Sequence, residues 1–275
     1  MPRLPDTNMS YAAEEHVIYQ LANAAIREYP YPHIYVEDIF PVDFYAALRA
    51  NWPRAADLVS IESTGRVPKG TYLERFVMPL TAEQIERLPD ATRGFWTEFA
   101  AWFLKNRFLS AVLSKFESHI NTRFGAHPGS VTFAPEVLVV RDHTNYKIGP
   151  HTDAPQRLLS LLFYCPDDDA LKHLGTSLYT PVDAEFCCGG GPHYPHEHFK
   201  KVATMDYRPN TLFAFFKTDN SFHGVEPIHD AEVLRDLMLY DIRVIGAAAQ
   251  PGSRKQPRSA SIGATMLRRI LRLEK

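Results

Sequence analysis

The 275 residues are 45% hydrophobic and 23% charged, enough apolar material to bury a sizeable core in one large domain. Against 30 Lys and Arg stand 32 Asp and Glu, a net charge of −2, which excludes the strongly basic field of a general nucleic-acid or membrane-surface binder. The three cysteines, Cys165 and the adjacent Cys187 and Cys188, exclude a disulfide framework and lack the C-x-x-C spacing of a structural zinc site.

At the N-terminus, MPRLPDTNMSYAAEEH has no apolar run of the kind a signal peptide needs, and no later run is long enough to cross a bilayer. With its unpaired cysteines the chain is expected to be cytoplasmic. Ala12 to Tyr29 carries Val17, Ile18, Leu21, Ala25 and Ile26 at helical spacing, and YPYP at 29–32 stops it because proline cannot continue a helix. A short apolar stretch, HIYVEDIF, follows. Pro41 suits the first turn of a helix over Val42 to Asn51, with Phe44, Tyr45 and Leu48 on its apolar side and Pro53 beyond its end. Arg54 to Pro79 is rich in turn formers and receives no element. Ala91 to Asn121 is amphipathic, and its Phe95, Trp96, Phe99, Trp102, Phe103, Leu109, Val112, Leu113 and Phe116 suit a helix or helix pair packed on a sheet.

From Ser130 the period changes from helical to extended. EVLVVRD, YKIG, LLSLLFYC, GTSLYTP, KVATMDY, NTLFAFF, HGVEPI and DLMLYDIRV are short β-prone runs separated by turn-rich segments. Eight strands with no helices between them fit an antiparallel jelly roll and argue against a parallel α/β sheet. The expected organisation is a catalytic domain over residues 1–246, comprising a helical prelude (1–129) and a jelly-roll core (130–246). A linker and a basic C-terminal helix occupy 247–275. The insertion at 183–199, with three consecutive glycines and the histidines His193, His196 and His198, is long for a hairpin and suits a lid. Cys187 and Cys188 read as packing residues there.

The segment YKIGPHTD places His151 and Asp153 at i and i+2, so in an extended strand both side chains face one way. Adding His223 from SFHGVEP would complete a two-histidine, one-carboxylate face that leaves other positions of an octahedral ion open. An isolated H-x-D is common, and a His and an Asp hydrogen-bonded at a turn would read the same way.

YKIGPHTDAPQRLLSLLFY, GTSLY, PNTLFAFFKTDNSFHGVEPI and RDLMLYDIRV together resemble the Fe(II)- and 2-oxoglutarate-dependent dioxygenases, in particular their prolyl-hydroxylase-like branch. PHIYVEDIFPVDFYAALRANWP looks like the N-terminal prelude of that branch. The resemblance implies an α+β fold, a cupin-like double-stranded β-helix with N-terminal helices packed on the sheet. It implies Fe(II) held by His151, Asp153 and His223, with O2 and 2-oxoglutarate as co-substrates, and succinate and CO2 as products. Arg235 would hold the distal carboxylate of 2-oxoglutarate, with Arg243 as the competing candidate. A guanidinium suits the task because it is always charged and binds a carboxylate through a planar fork. Tyr146, Ser160 and Tyr164 would offer hydroxyls to the co-substrate.

Arg157, Tyr179 and Phe215 are candidate substrate contacts, while Leu159, Leu161, Phe163 and Phe213, like Phe215, also suit barrel core. In the related halogenases a small residue replaces the metal-binding carboxylate. The carboxylate of Asp153 therefore implies hydroxylation, of a small molecule or metabolite, rather than halogenation. Two alternatives stand beside it: a peptidyl side-chain hydroxylase, and a cupin-like metal-binding protein without catalysis or without 2-oxoglutarate. No nucleic-acid partner and no integral membrane segment are expected, and the basic C-terminal helix allows at most a weak surface contact.

Overall fold

The computed structural model describes residues 7–125 and 131–247. Helix α1 (Thr7–Asn23) ends before the YPYP stop. The chain turns back earlier because Arg27 and His33 exchange backbone hydrogen bonds of 2.8 and 2.9 Å, and this bridge leads into β1 (His33–Val36). The expected second helix is α2 (Val42–Ala50). The turn-rich segment that received no element holds β2 (Val59–Ser60) and β3 (Arg75–Pro79), followed by α3 (Ala82–Glu86).

The long amphipathic stretch is three helices, α4 (Asp90–Phe103), α5 (Asn106–Lys115) and α6 (Glu117–Phe124), rather than one or two. No proline or glycine marks the breaks. They bend the layer so that Phe103 and Phe108, 5.1 Å apart, both pack against Tyr240 of the sheet, at 5.1 and 5.2 Å.

All eight extended runs are strands: β4 (Val131–His143), β5 (Ile148–His151), β6 (Arg157–Tyr164), β7 (Thr176–Pro181), β8 (Phe199–Met205), β9 (Thr211–Phe216), β10 (His223–Val225) and β11 (Leu234–Ala247). They form two antiparallel sheets, a larger one ordered β1-β9-β6-β11-β4-β3-β2 and a smaller one ordered β5-β10-β7-β8. Four strands of the first (β9, β6, β11, β4) face the four of the second, and β1, β2 and β3 extend the edges. This is a double-stranded β-helix with helices on one outer face. The linker from 248 and the basic terminal helix lie outside the described residues.

Strand alternation sorts the large sheet into two chemistries. Leu159, Leu161, Phe163, Leu212, Ala214, Phe216, Met238, Tyr240 and Ile242 face the helices and join one core cluster with Phe95, Phe99 and Phe103. Leu159, Leu161 and Phe163 are therefore core, but on the helix side of the sheet rather than inside the barrel. The opposite face carries Phe213, Phe215, Leu237, Leu138 and Val140 toward the barrel interior. It also carries the polar residues from which the site is built. Each fully buried Leu or Phe contributes about 1.5–3 kcal/mol, so the helix-side cluster gives the inner face a rigid backing.

One glycine fixes how β10 approaches β5. A Cβ on Gly224 would lie 2.5 Å from the Ile148 carbonyl oxygen and 3.1 Å from Gly149, both backbone. Gly224→Ala is expected to cost about 1–3 kcal/mol through this overpacking, read as a lower midpoint in denaturant unfolding.

Candidate metal centre and its cavity

The pairing of β5 with β10 explains how residues 72 positions apart meet, because His223 is the register partner of His151. Asp153 lies two residues past the end of β5. One ligand atom from each of His151, Asp153 and His223 falls within 4.8 Å of the others, and all three residues are buried. The histidine rings are 4.3 Å apart between centroids, and His223 Nε2 is 3.9 Å from Asp153 Oδ2. Each imidazole has its Nδ1 on the carbonyl two residues earlier: Gly149 for His151 (2.9 Å) and Ser221 for His223 (3.0 Å). Donation from Nδ1–H leaves each Nε2 as a lone-pair donor facing the shared centre, which is the tautomer a metal requires. The Ser160 hydroxyl donates to Asp153 Oδ2 at 2.8 Å and sets the carboxylate's rotation.

Electrostatics favour the ligating protonation states. Burial, with His223 adding to it, drives His151 down to about 3, and burial likewise lowers His223. Burial alone would raise Asp153, but Arg157, the two histidines and the Ser160 hydroxyl outweigh it and hold the carboxyl below its usual range. Two neutral imidazoles and a carboxylate therefore face one point near neutral pH.

The same depression has a stability consequence for the metal-free protein. Between pH 6.5 and about 3 the unfolded chain binds protons that folded His151 does not, so stability falls as pH drops through that window. Asp241, raised to about 6 mainly by burial, works in the opposite sense, but it is one group against two histidines. Urea unfolding of metal-free protein is expected to give about 1–3 kcal/mol less stability at pH 5 than at pH 7.5.

The triad opens into a cavity of about 580 Å3 between the two sheets. At one end Asp142, fully buried, receives two arginines. Arg75 binds it through Nε (2.6 Å) and Nη2 (2.9 Å), and Arg235 through Nη1 (2.8 Å). Arg235 also donates from Nε to the Leu174 carbonyl at 2.6 Å. Its Nη2 is buried and finds no hydrogen-bond partner, and neither does the buried Tyr146 hydroxyl. Both residues line the cavity. Two cations on one carboxylate leave one positive charge in surplus beside two unsatisfied donors, an arrangement that fits a carboxylate ligand.

Of the residues singled out in the sequence, Arg157, Ser160, Phe215, Tyr146 and Arg235 line this cavity with the triad. Two do not. The Tyr164 hydroxyl donates to Thr176 Oγ1 (2.8 Å) and accepts from the Thr176 N–H (3.2 Å), while its ring lies 5.7 Å from the Arg235 guanidinium. Tyr164 thus stands behind Arg235 rather than in the cavity. Tyr179 donates to Glu226 at 2.6 Å and packs with Phe199 and Phe222 outside it. Arg243 is also absent from the lining and pairs with Glu136 at 2.9 Å.

Sequence reasoning missed Arg66, Tyr72 and Arg75, which lie in the segment that received no element, and Asp241 on β11. Counting by two from Arg235 along β11 reaches Asp241 on the same face, a signal the strand pattern contained. From the 183–199 loop, Gly190, Gly191 and His193 reach the cavity. His193 stands 4.6 Å from the His151 ring, and its Nε2 is 2.7 Å from the Tyr72 hydroxyl. Tyr72 and the 183–199 loop therefore meet at the mouth of the cavity beside the triad. Cys188 serves as packing here, with the Thr152 hydroxyl on its carbonyl at 2.6 Å.

No family model matches the chain, and no curated protein matches it. Solved structures do. A prolyl-4-hydroxylase from Pseudomonas putida is 15% identical, with 84% of this chain and 98% of that one covered and a TM-score of 0.48. SnoK, a non-heme alpha-ketoglutarate-dependent carbocyclase of nogalamycin biosynthesis, is 10% identical over 90% of each chain, with a TM-score of 0.46. HygX from Streptomyces hygroscopicus, solved with nickel and 2-oxoglutarate bound, is 12% identical over 78% of this chain and 83% of its own, with a TM-score of 0.42. Among the described residues no helix is long and apolar enough to cross a membrane.

Proposed function

We propose that the protein is an Fe(II)- and 2-oxoglutarate-dependent oxygenase that hydroxylates a C–H bond of a small molecule. The observation that carries this reading is the pairing, in one cavity, of a His-Asp-His cluster with two orphaned donors, Arg235 Nη2 and the Tyr146 hydroxyl. The donor set of two imidazoles and one carboxylate suits Fe(II) and leaves coordination positions free for other ligands.

His151, Asp153 and His223 would hold the iron. Bound there with 2-oxoglutarate and O2, the metal supplies the oxidation of a C–H bond, with succinate and CO2 released. Arg235 and Tyr146 would fix the far carboxylate of the co-substrate, and Asp142, held by Arg75, keeps the Arg235 fork in place. Ser160 holds Asp153 in its ligating orientation. Tyr72 and His193, hydrogen-bonded to each other, stand at the mouth of the cavity beside the centre. A cavity of about 580 Å3 that also has to hold the co-substrate favours a small molecule over a peptide.

Adding Fe(II) and 2-oxoglutarate without oxygen is expected to produce a metal-to-ligand charge-transfer band, and admitting air should release succinate. Absence of both would overturn the reading in favour of a metal-binding protein that does not use 2-oxoglutarate.

A further inference from the structure

The inner face of β4 and β11 is charged at both ends, and the co-substrate accounts for only one of them. Asp142 and Arg235 are cross-strand partners at the first end, and Glu136 and Asp241 are partners at the second, with Leu138, Val140, Leu237 and Leu239 between. Around the second end stand three arginines. Glu136 accepts an ion pair from both Arg66 and Arg243, and Asp241 accepts one from Arg157 at 2.7 Å. Asp153, 3.5 Å from Arg157, is a third carboxylate at this end, so the charges balance and what sets this end apart is how its donors are used.

The donors at this end are incompletely used. Arg157 reaches Asp241, Ser160 (3.4 Å) and Asp153 (3.5 Å) through Nη1 alone. Its Nε and Nη2 have no hydrogen-bond partner among the described residues. Arg66 likewise spends only Nη2, on Glu136. Both side chains line the cavity. An oxyanion matches these planar forks, two parallel N–H groups at a time, better than a neutral group does.

We propose that the substrate is a small organic acid whose anionic group, a carboxylate or a phosphate, docks on Arg66 and Arg157 at the end of the cavity remote from Arg235. The assignment rests on the oxygenase reading, since it takes the Arg235 end as the seat of 2-oxoglutarate. A small acid fits better than an acidic polymer because the co-substrate shares the same cavity of about 580 Å3. Arg66 and Arg157 are then specificity-determining residues.

The test uses the full chain loaded with diamagnetic Zn(II) and saturating 2-oxoglutarate, with ligand binding followed by saturation-transfer NMR. The probes are 3-phenylpropanoate, its neutral amide 3-phenylpropanamide, and phenyl phosphate. The acids should bind about tenfold better than the amide, and Arg66→Gln and Arg157→Gln should each remove that preference. Whichever acid binds more tightly identifies the anion as carboxylate or phosphate. Arg157 touches Asp153, so Arg66→Gln is the decisive variant if Arg157→Gln fails to fold or to bind metal. Equal binding of acid and amide, or an unchanged preference in Arg66→Gln, would overturn the proposal. Tighter binding of an aspartate-rich peptide than of either small acid would overturn its small-molecule part. A separate 2-oxoglutarate titration reads the oxygenase assignment: its failure removes that reading, while the acid-to-amide ratio still reports on the two arginines.

Discussion

Replacing His223 with alanine is expected to lower Fe(II) affinity by more than about 100-fold and to abolish succinate formation. The scale follows from position, because outer-sphere partners of metal ligands alone cost about 10–100-fold when removed. His223 is a direct ligand candidate, and it is the one supplied from outside the β5 segment. Without it, His151 and Asp153 would retain two contacts from a single stretch of chain, a bidentate site open on too many sides to hold the ion. Asp153→Ala should act similarly, with an added electrostatic effect: Arg157, 3.5 Å from that carboxylate, would turn toward Asp241 alone. Ser160→Ala, which removes only the bond orienting Asp153, should cost about tenfold. Titration with Fe(II) under nitrogen, with circular dichroism to confirm folding, separates these outcomes. Normal turnover in the His223 variant would remove the triad assignment.

The triad was legible because its parts sit where strand geometry makes sequence informative. His151 and Asp153 share a face through the period of two, and the partner strand shows as the β-prone run HGVEPI that His223 opens. The fold was legible for the same reason: eight short runs with turns between them leave few arrangements other than two antiparallel sheets. The other end of the cavity was only half visible. Arg235 could be read from its strand, but Arg75 and Asp142, which hold it, become neighbours only through the β3–β4 register, where Arg75 pairs with Asp142. β3 lies in a turn-rich segment whose short apolar alternation does not stand out. That the Tyr164 and Tyr179 hydroxyls bond to Thr176 and Glu226 was not legible, because a hydroxyl on a strand gives no sign of whether it faces a cavity or a neighbour. The breaks between α4, α5 and α6 carry no proline or glycine, so only packing against the curved sheet produces them.

Arg235→Met is expected to weaken 2-oxoglutarate binding by about 100-fold while leaving Fe(II) affinity unchanged. A hydrogen bond to a charged group is worth about 1.5–3 kcal/mol, and the loss includes the net charge at that end of the cavity. Asp142 remains paired with Arg75 through two bonds, so the variant leaves a neutral pair where the native protein has a surplus cation. Methionine fills comparable volume beside the Tyr164 and Tyr207 rings, which flank the guanidinium at 5.7 and 5.2 Å, so the packing cost stays modest. Arg235→Lys should recover part of the affinity, since a lysine restores the charge but not the planar fork. Asp142→Asn is the informative contrast. It leaves the fully buried Arg235 and the partly buried Arg75 without their counter-ion and should cost about 3–5 kcal/mol of stability, independent of any co-substrate. A dissociation constant for 2-oxoglutarate unchanged in Arg235→Met would mean that the orphaned Nη2 serves the fold and not the ligand. The co-substrate carboxylate would then have to be sought on the Arg66 and Arg157 side.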